Sequence, residues 1–242
     1  MRGWIANWKG RRRLKRLQHE YFASLRPETE VIPEYVSTLA DLRQKNEERA
    51  RALGKWILFG RNLHLGSGGH NFAGWLNVDL VFDSGLAVCL DATSGLPFKN
   101  QTVRRIFSED FFEHIEHADA LEVLKECRRL LSEDGAIRIG VPDLESIVKR
   151  VYLRRSEADL AWCRSKFGDQ TSCEALNRLM RMDGDHRFLY DWECLSKLLR
   201  AAGFRPRRKA FHSTDFVEFQ FMDLRGHGLS LFVEAVPVSS LE

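Results

Sequence analysis

No Cys-x-x-Cys pair occurs among the five cysteines of this chain, Cys89, Cys127, Cys163, Cys173 and Cys194, and no apolar stretch reaches the length of a signal-peptide core or a membrane span. An odd cysteine count without framework spacing excludes a disulfide-stapled scaffold, so the five read as small buried hydrophobes. The expectation is a soluble protein of a reducing interior, with the cytoplasm as default location. No Gly-Lys-Ser/Thr follows the glycines, which excludes a P-loop, and no Cys/His cluster has metal-ligand spacing, so no metal is expected. With 44% of 242 residues hydrophobic, there is material for one well-buried domain with an appendage, or at most two small ones.

Positive charge is concentrated at one end. The chain carries net +3, but residues 1–20 hold seven basic residues against Glu20, which leaves the remainder net negative. Residues 1–55 read as a basic helical N-terminal extension, with Trp4, Ile5, Trp8, Leu14 and Leu17 at helical spacing and Arg11, Arg12, Arg13, Lys15 and Arg16 between them. Such a face suits an anionic membrane surface, which would make the protein peripheral there; nucleic acid is the less favoured partner, and a plainly solvated helix also accounts for it.

From residue 56 to 240 short apolar runs separated by turn residues alternate with helix-period segments, the pattern of an α/β sheet domain. Strands are predicted at Asn62–Leu65, Trp75–Asp79, Ala87–Leu90, Val103–Phe107, Ala136–Val141, after Gly203, and at Leu229–Val236. Helices are predicted over Ala118–Leu131, with Gly135 in the turn beyond, and over Trp192–Ala202 behind Asp191 as N-cap. Residues 157–185 are polar and weakly periodic and read as an insertion on the substrate side.

The run Leu63-His64-Leu65-Gly66-Ser67-Gly68-Gly69 carries an apolar strand straight into glycines, where missing Cβ atoms permit a sharp turn and close approach of a ligand. Asp79 ends the next apolar run and Asp91 ends the one after it. Carboxylates at successive strand ends beside a glycine turn suit the ribose hydroxyls of a nucleoside, although a glycine turn alone is often only a turn. A nicotinamide site would need Gly where Asn71 stands. The connection between the first two strands is shorter than parallel crossovers usually need, so a hairpin remains open on spacing alone.

The ordered segments LHLGSGG, GWLNVD, LDATSGLPF, IFSEDFFEHI and LLSEDGAIRIGVPDLE resemble the class I S-adenosylmethionine (SAM)-dependent methyltransferases, close to the "type 11" branch and its glycan-associated relatives. The resemblance spans residues 56–236, since HRFLYDWECLSKLLRAAGF and LSLFVEA are similar to that family's last helix and strand. It implies a Rossmann-like seven-stranded sheet, mostly parallel with an antiparallel last strand, and a first helix cut to a turn. It also implies SAM as cofactor, with Gly66, Ser67 and Gly68 along its methionine and ribose, Asp79 on the ribose hydroxyls, Asp91 and Ala92 at the adenine, and Ser108 entering from the fourth strand. Two positions depart from the family pattern: His64 stands where an acidic residue usually faces the SAM ammonium, and Ser67 where cysteine is frequent.

Methyl transfer from a sulfonium needs a positioned nucleophile and, for a hydroxyl, a proton acceptor. His114, in the segment leaving the fourth strand, and His186, after the insertion, are the candidate bases; shaping the pocket or packing near a helix start are the bland alternatives. Asp143 fits a helix cap as well as a site residue. The fourth strand ends Ser-Glu-Asp-Phe, without the Asn/Asp-Pro-Pro-aromatic motif of amino-methylating nucleic-acid enzymes. The expected acceptor is therefore an oxygen of a sugar, glycan or other small metabolite. The competing readings are a SAM-fold binding module without catalysis, and an RNA methyltransferase guided by the basic N-terminus.

Overall fold

The computed structural model describes residues 61–238 apart from 69, 71, 73, 80–86, 90, 97 and 99. The basic extension expected over residues 1–55 lies outside the described residues. Seven strands form one sheet: β1 (Asn62–Leu65), β2 (Leu76–Asp79), β3 (Ala87–Cys89), β4 (Val103–Glu109), β5 (Leu131–Pro142), β6 (Phe204–Lys209) and β7 (Ser230–Pro237). Their order is β3-β2-β1-β4-β5-β7-β6, parallel from β1 to β5, with β7 antiparallel to both its neighbours. This is the Rossmann-like architecture expected, antiparallel last strand included. The order reverses between β1 and β4, and such switch points are where open α/β sheets bind ligands, beyond the strands' carboxyl ends.

β1 and β2 are parallel, Leu63 opposite Leu76 and Leu65 opposite Val78, which excludes the hairpin. No helix is needed between them because a four-residue strand requires a return path of only about 13 Å. The turn is fastened to β2 by the N–H groups of Gly66 and Ser67, which both donate to the Val78 carbonyl (2.9 and 3.1 Å).

One face of the sheet is apolar. Leu63, Leu65, Ile106, Ile137, Ile139 and Val141 pack against α1 (His117–Leu130) and, near the β6 edge, against the helix formed by Trp192–Ala201. α1 buries Ala120, Val123, Leu124, Cys127 and Leu130, a single helical stripe. β5 starts at Leu131, directly after α1, and is longer than predicted: Val103 pairs with Leu131 ahead of a register shift, so Gly135 lies within the strand bounds rather than in a turn.

The opposite face carries charge. Arg105, Phe107 and Glu109 on β4 alternate with the apolar set, as do Ala136, Arg138 and Gly140 on β5, and the segment from Ala210 to Arg225 folds over them. Arg138 is fully buried; its guanidinium makes two bonds to Asp223 (2.6 and 2.5 Å) and one to Glu234 (2.7 Å), and donates to the carbonyls of Ser213 and Ala210.

Beyond β5, α2 (Leu144–Ile147) continues as a wider turn over Val148–Leu153, followed by α3 (Glu157–Phe167) and α4 (Ser172–Arg181). These elements share a satellite core of Ile147, Val151, Cys163, Ala175 and Leu179, closed by Leu229. The weakly periodic stretch is thus two helices. α3 lacks an apolar stripe because its two buried positions are Cys163 and Asp159, the latter bound by the Arg150 guanidinium (2.9 and 2.6 Å). α4 opens on a reciprocal cap between Thr171 and Glu174. Its first turn leaves Cys173 exposed, which corrects the expectation of buried cysteines; Cys127 and Cys163 are buried and Cys194 is half-buried. α5 (Trp192–Ala201) is capped by Asp191, whose carboxylate accepts from the Cys194 N–H (2.8 Å). No described helix is long and apolar enough to cross a membrane.

Candidate active site

Gly66 sits at φ +68°, and a Cβ there would lie 2.6 Å from Cβ of Phe111, so only glycine fits. Around Gly68 (φ +50°) the space is open: an added Cβ would meet nothing within 4 Å. The Gly68 N–H donates to Oδ2 of Asp79 at the end of β2 (2.8 Å), which draws the glycine turn and that carboxylate together. The hydroxyls of Ser67 and of Ser108, which lies opposite Leu65 on β4, are buried and have no hydrogen-bond partner. Beyond β3, Asp91 is buried and accepts from the N–H and hydroxyl of Thr93 (2.9 and 2.6 Å), capping a short turn that begins at buried Ala92.

His64 is buried between the rings of Phe72 and Phe107. Burial pushes its pKa down to about 4, against a smaller upward pull from Asn77. The Asn77 amide nitrogen donates to the carbonyls of Phe72 and Trp75 (both 3.2 Å), so its oxygen is the atom facing His64 Nδ1 at 3.1 Å. An amide oxygen only accepts, which puts the imidazole proton on Nδ1 and the lone pair on Nε2. His64 is therefore a neutral ring with an acceptor nitrogen.

A cavity of about 470 Å³ opens from the glycine turn. His64, Gly66, Ser67 and Gly68 form one wall; Glu109, Asp110, Glu113 and His114 beyond β4 form the next; Trp162, Lys166 and Phe167 of α3, with Leu179, Met182 and His186, come from the insertion; Leu224, Arg225 and His227 close it. Of the residues expected at the site, His64, Gly66, Ser67, Gly68, His114 and His186 are brought together here, whereas Asp79, Asp91, Ala92 and Ser108 lie along the strand ends outside this lining. Asp143 is a cap: it accepts from the Glu145 N–H and the Ser146 hydroxyl (3.2 and 2.8 Å) and pairs with Arg208 (3.0 Å).

The cavity's ionisable groups are shaped by burial. Glu109 accepts from the N–H groups of Leu224 and Arg225 (2.9 and 3.1 Å), yet burial pushes its pKa up to about 7. Glu113 is fully buried with no hydrogen bond to either carboxylate oxygen, and desolvation raises its pKa well above the ordinary carboxylate range. His186 is shifted down, by burial first and by neighbouring His114 second. Trp162, Lys166, Arg225 and His227 were not singled out in the sequence; only the tryptophan in an otherwise polar stretch offered a signal.

Residues 63–139 match the family model described as "Methyltransferase domain". The matched segment is a methyltransferase domain, and it holds the glycine turn, Asp79 and Asp91. Solved structures of similar fold include a SAM-dependent methyltransferase of Thermotoga maritima (19% identity, 85% of this chain and 95% of that one, TM-score 0.44). A protein of Pyrococcus horikoshii (16%, 86% and 100%, 0.47) and a SAM-dependent methyltransferase of Clostridium acetobutylicum (11%, 81% and 92%, 0.46) are also similar. No curated protein matches the chain. The methyltransferase domain's cofactor is SAM, and its glycine turn fits that ligand: open space lies beside Gly68, the Asp79 carboxylate adjoins it, and two buried serine hydroxyls lack partners.

Proposed function

We propose that the chain transfers a methyl group from SAM to an oxygen of a sugar, glycan or other small metabolite held in the 470 Å³ cavity. The observation that carries this reading is the single cavity shared by the glycine turn, His114 and His186, and the aromatic wall of α3. When bound, SAM supplies an activated methyl on a sulfonium. Gly66, Ser67, Gly68, Asp79 and Ser108 would hold it, Asp91 and Ala92 would face the adenine, and the acceptor Nε2 of His64 would take a hydrogen bond from the ammonium where relatives use an acid. His114 and His186 supply basic nitrogens for a hydroxyl proton, and the cavity walls exclude water and orient the nucleophile. The preference for an oxygen acceptor rests on the Ser-Glu-Asp-Phe end of the fourth strand, which lacks an amine-holding motif, and Trp162 adds an aromatic wall, with Lys166 Nζ over its ring (5.2 Å) and the His227 ring 4.8 Å away.

Labelled-methyl transfer over glycan, small-metabolite and RNA fractions tests the reading. Incorporation into the first two supports it. Cofactor binding without any acceptor favours a binding module, and RNA labelling that falls steeply with salt and disappears without residues 1–20 favours an RNA substrate. Whether the chain works in the cytoplasm or at an anionic membrane surface through residues 1–20 is tested by vesicle sedimentation with and without that segment.

A further inference from the structure

We propose that Glu113, His114 and His186 form a divalent-metal site, of the two-histidine, one-carboxylate type, in the wall of the cavity. One ligand atom from each side chain lies within 4.8 Å of the others, and His114 Nε2 is 4.0 Å from Glu113 Oε1. Glu113 is fully buried and neither of its carboxyl oxygens has a hydrogen-bond partner, so a polar group has been withdrawn from water with nothing to replace it. A cation supplies what it lacks. Each imidazole turns Nδ1 toward a backbone carbonyl, His186 toward Leu179 (2.9 Å) and His114 toward Asp185 (3.3 Å). A carbonyl only accepts, so the ring proton sits on Nδ1 and the lone pair on Nε2, the arrangement that orients metal-binding histidines.

The backbone holds the ligands in register. The Arg187 and Phe188 N–H groups both donate to the Glu113 carbonyl (2.6 and 3.2 Å), which ties the strand of chain carrying His186 to the turn carrying the other two. Bonds of about 2.1 Å in a tetrahedral site put donor atoms about 3.4 Å apart, so side-chain movements of about 1 Å close the triad on an ion. A nitrogen-rich donor set with one carboxylate suits Zn²⁺, Co²⁺, Fe²⁺ or Mn²⁺ better than Ca²⁺. No metal is expected from the sequence, because one ligand lies far downstream of the adjacent pair and no regular spacing betrays them. Binding of the ion stands on this geometry alone; a role toward the acceptor rests on the methyltransferase reading, in which a bound ion would take the place of the His114 and His186 lone pairs as the group that eases loss of the hydroxyl proton.

The test uses the untagged full chain, stripped with chelator and titrated with Co²⁺ while its visible absorption is followed, then with Zn²⁺ in competition. One equivalent of Co²⁺ that develops ligand-field absorption and is displaced by Zn²⁺ is expected. His186→Gln and Glu113→Gln are each expected to weaken binding at least about tenfold, and Cys173→Ser, which removes the exposed thiol, to leave it unchanged. No absorption in the wild type overturns the proposal whatever the variants do; so does unchanged affinity in both ligand variants, or loss of binding in Cys173→Ser. S-adenosylhomocysteine is titrated into the same samples: binding of that ligand without Co²⁺ sinks only the metal site, and Co²⁺ binding without it sinks only the cofactor reading.

Discussion

At His64 the chain buries a neutral imidazole, and the burial has a thermodynamic signature. The folded ring has a pKa of about 4 because it is buried, against about 6.5 in the unfolded chain, so the folded state binds fewer protons between those values. Its contribution to stability is fully present above the unfolded value and is lost as pH falls through the folded one, on the order of 3 kcal/mol in all. Urea midpoints are expected to fall between pH 7 and pH 4 in the wild type and to fall less in His64→Gln; equal slopes would place the acid sensitivity elsewhere. Gly66 is the second residue whose identity local geometry dictates. Gly66→Ala combines a left-handed φ with a contact on Phe111, and is expected to weaken S-adenosylhomocysteine binding at least about tenfold, whereas Gly68→Ala, with open space beside it, loses less. Equal losses measured by calorimetry would contradict this account of the turn.

Between elements, the segment over the charged face of the sheet is held by ions as well as by the apolar contacts of Phe219 and Met222 with Trp75, Phe107 and Ala136. Arg138 meets Asp223 and Glu234, Arg105 meets Glu218 (3.2 Å), and Glu109 takes the N–H groups of Leu224 and Arg225. That docking carries Arg225 and His227 to the cavity. Arg138→Met is expected to cost about 3–5 kcal/mol, because it strands two buried carboxylates, and adding Asp223→Leu is expected to recover part of that loss; urea unfolding of the two variants decides it, and a single-variant cost under about 1 kcal/mol would show the network to be idle. α3 contributes the aromatic wall. Trp162→Ala is expected to raise KM for a sugar acceptor about tenfold while leaving S-adenosylhomocysteine affinity unchanged, and a loss of cofactor affinity instead would move Trp162 out of the acceptor site.

For the whole molecule, what was legible in the sequence is what local patterns carry. The apolar runs ending at Leu65, Asp79 and Phe107 predict strands where β1, β2 and β4 stand, and α1 and α5 follow from their stripes and caps. The parallel β1–β2 link was not legible from spacing; it followed from the family resemblance. The ionic face was hidden because Arg138 looks like a solvent-facing strand residue until Asp223 and Glu234, far along the chain, are folded onto it. α3 was hidden because one of its buried positions is an aspartate. The cavity is assembled from several separate stretches, so the sequence reached His114 and His186 but not the Trp162 wall. The central claim is that this cavity begins at a SAM site built on Gly66–Gly68 and Asp79. Calorimetry with SAM and S-adenosylhomocysteine tests it directly: both are expected to bind the wild type one to one, and Asp79→Ala to bind about 10- to 100-fold more weakly through loss of charge-assisted hydrogen bonds. Failure of both ligands to bind the wild type, or wild-type affinity in Asp79→Ala, would contradict it.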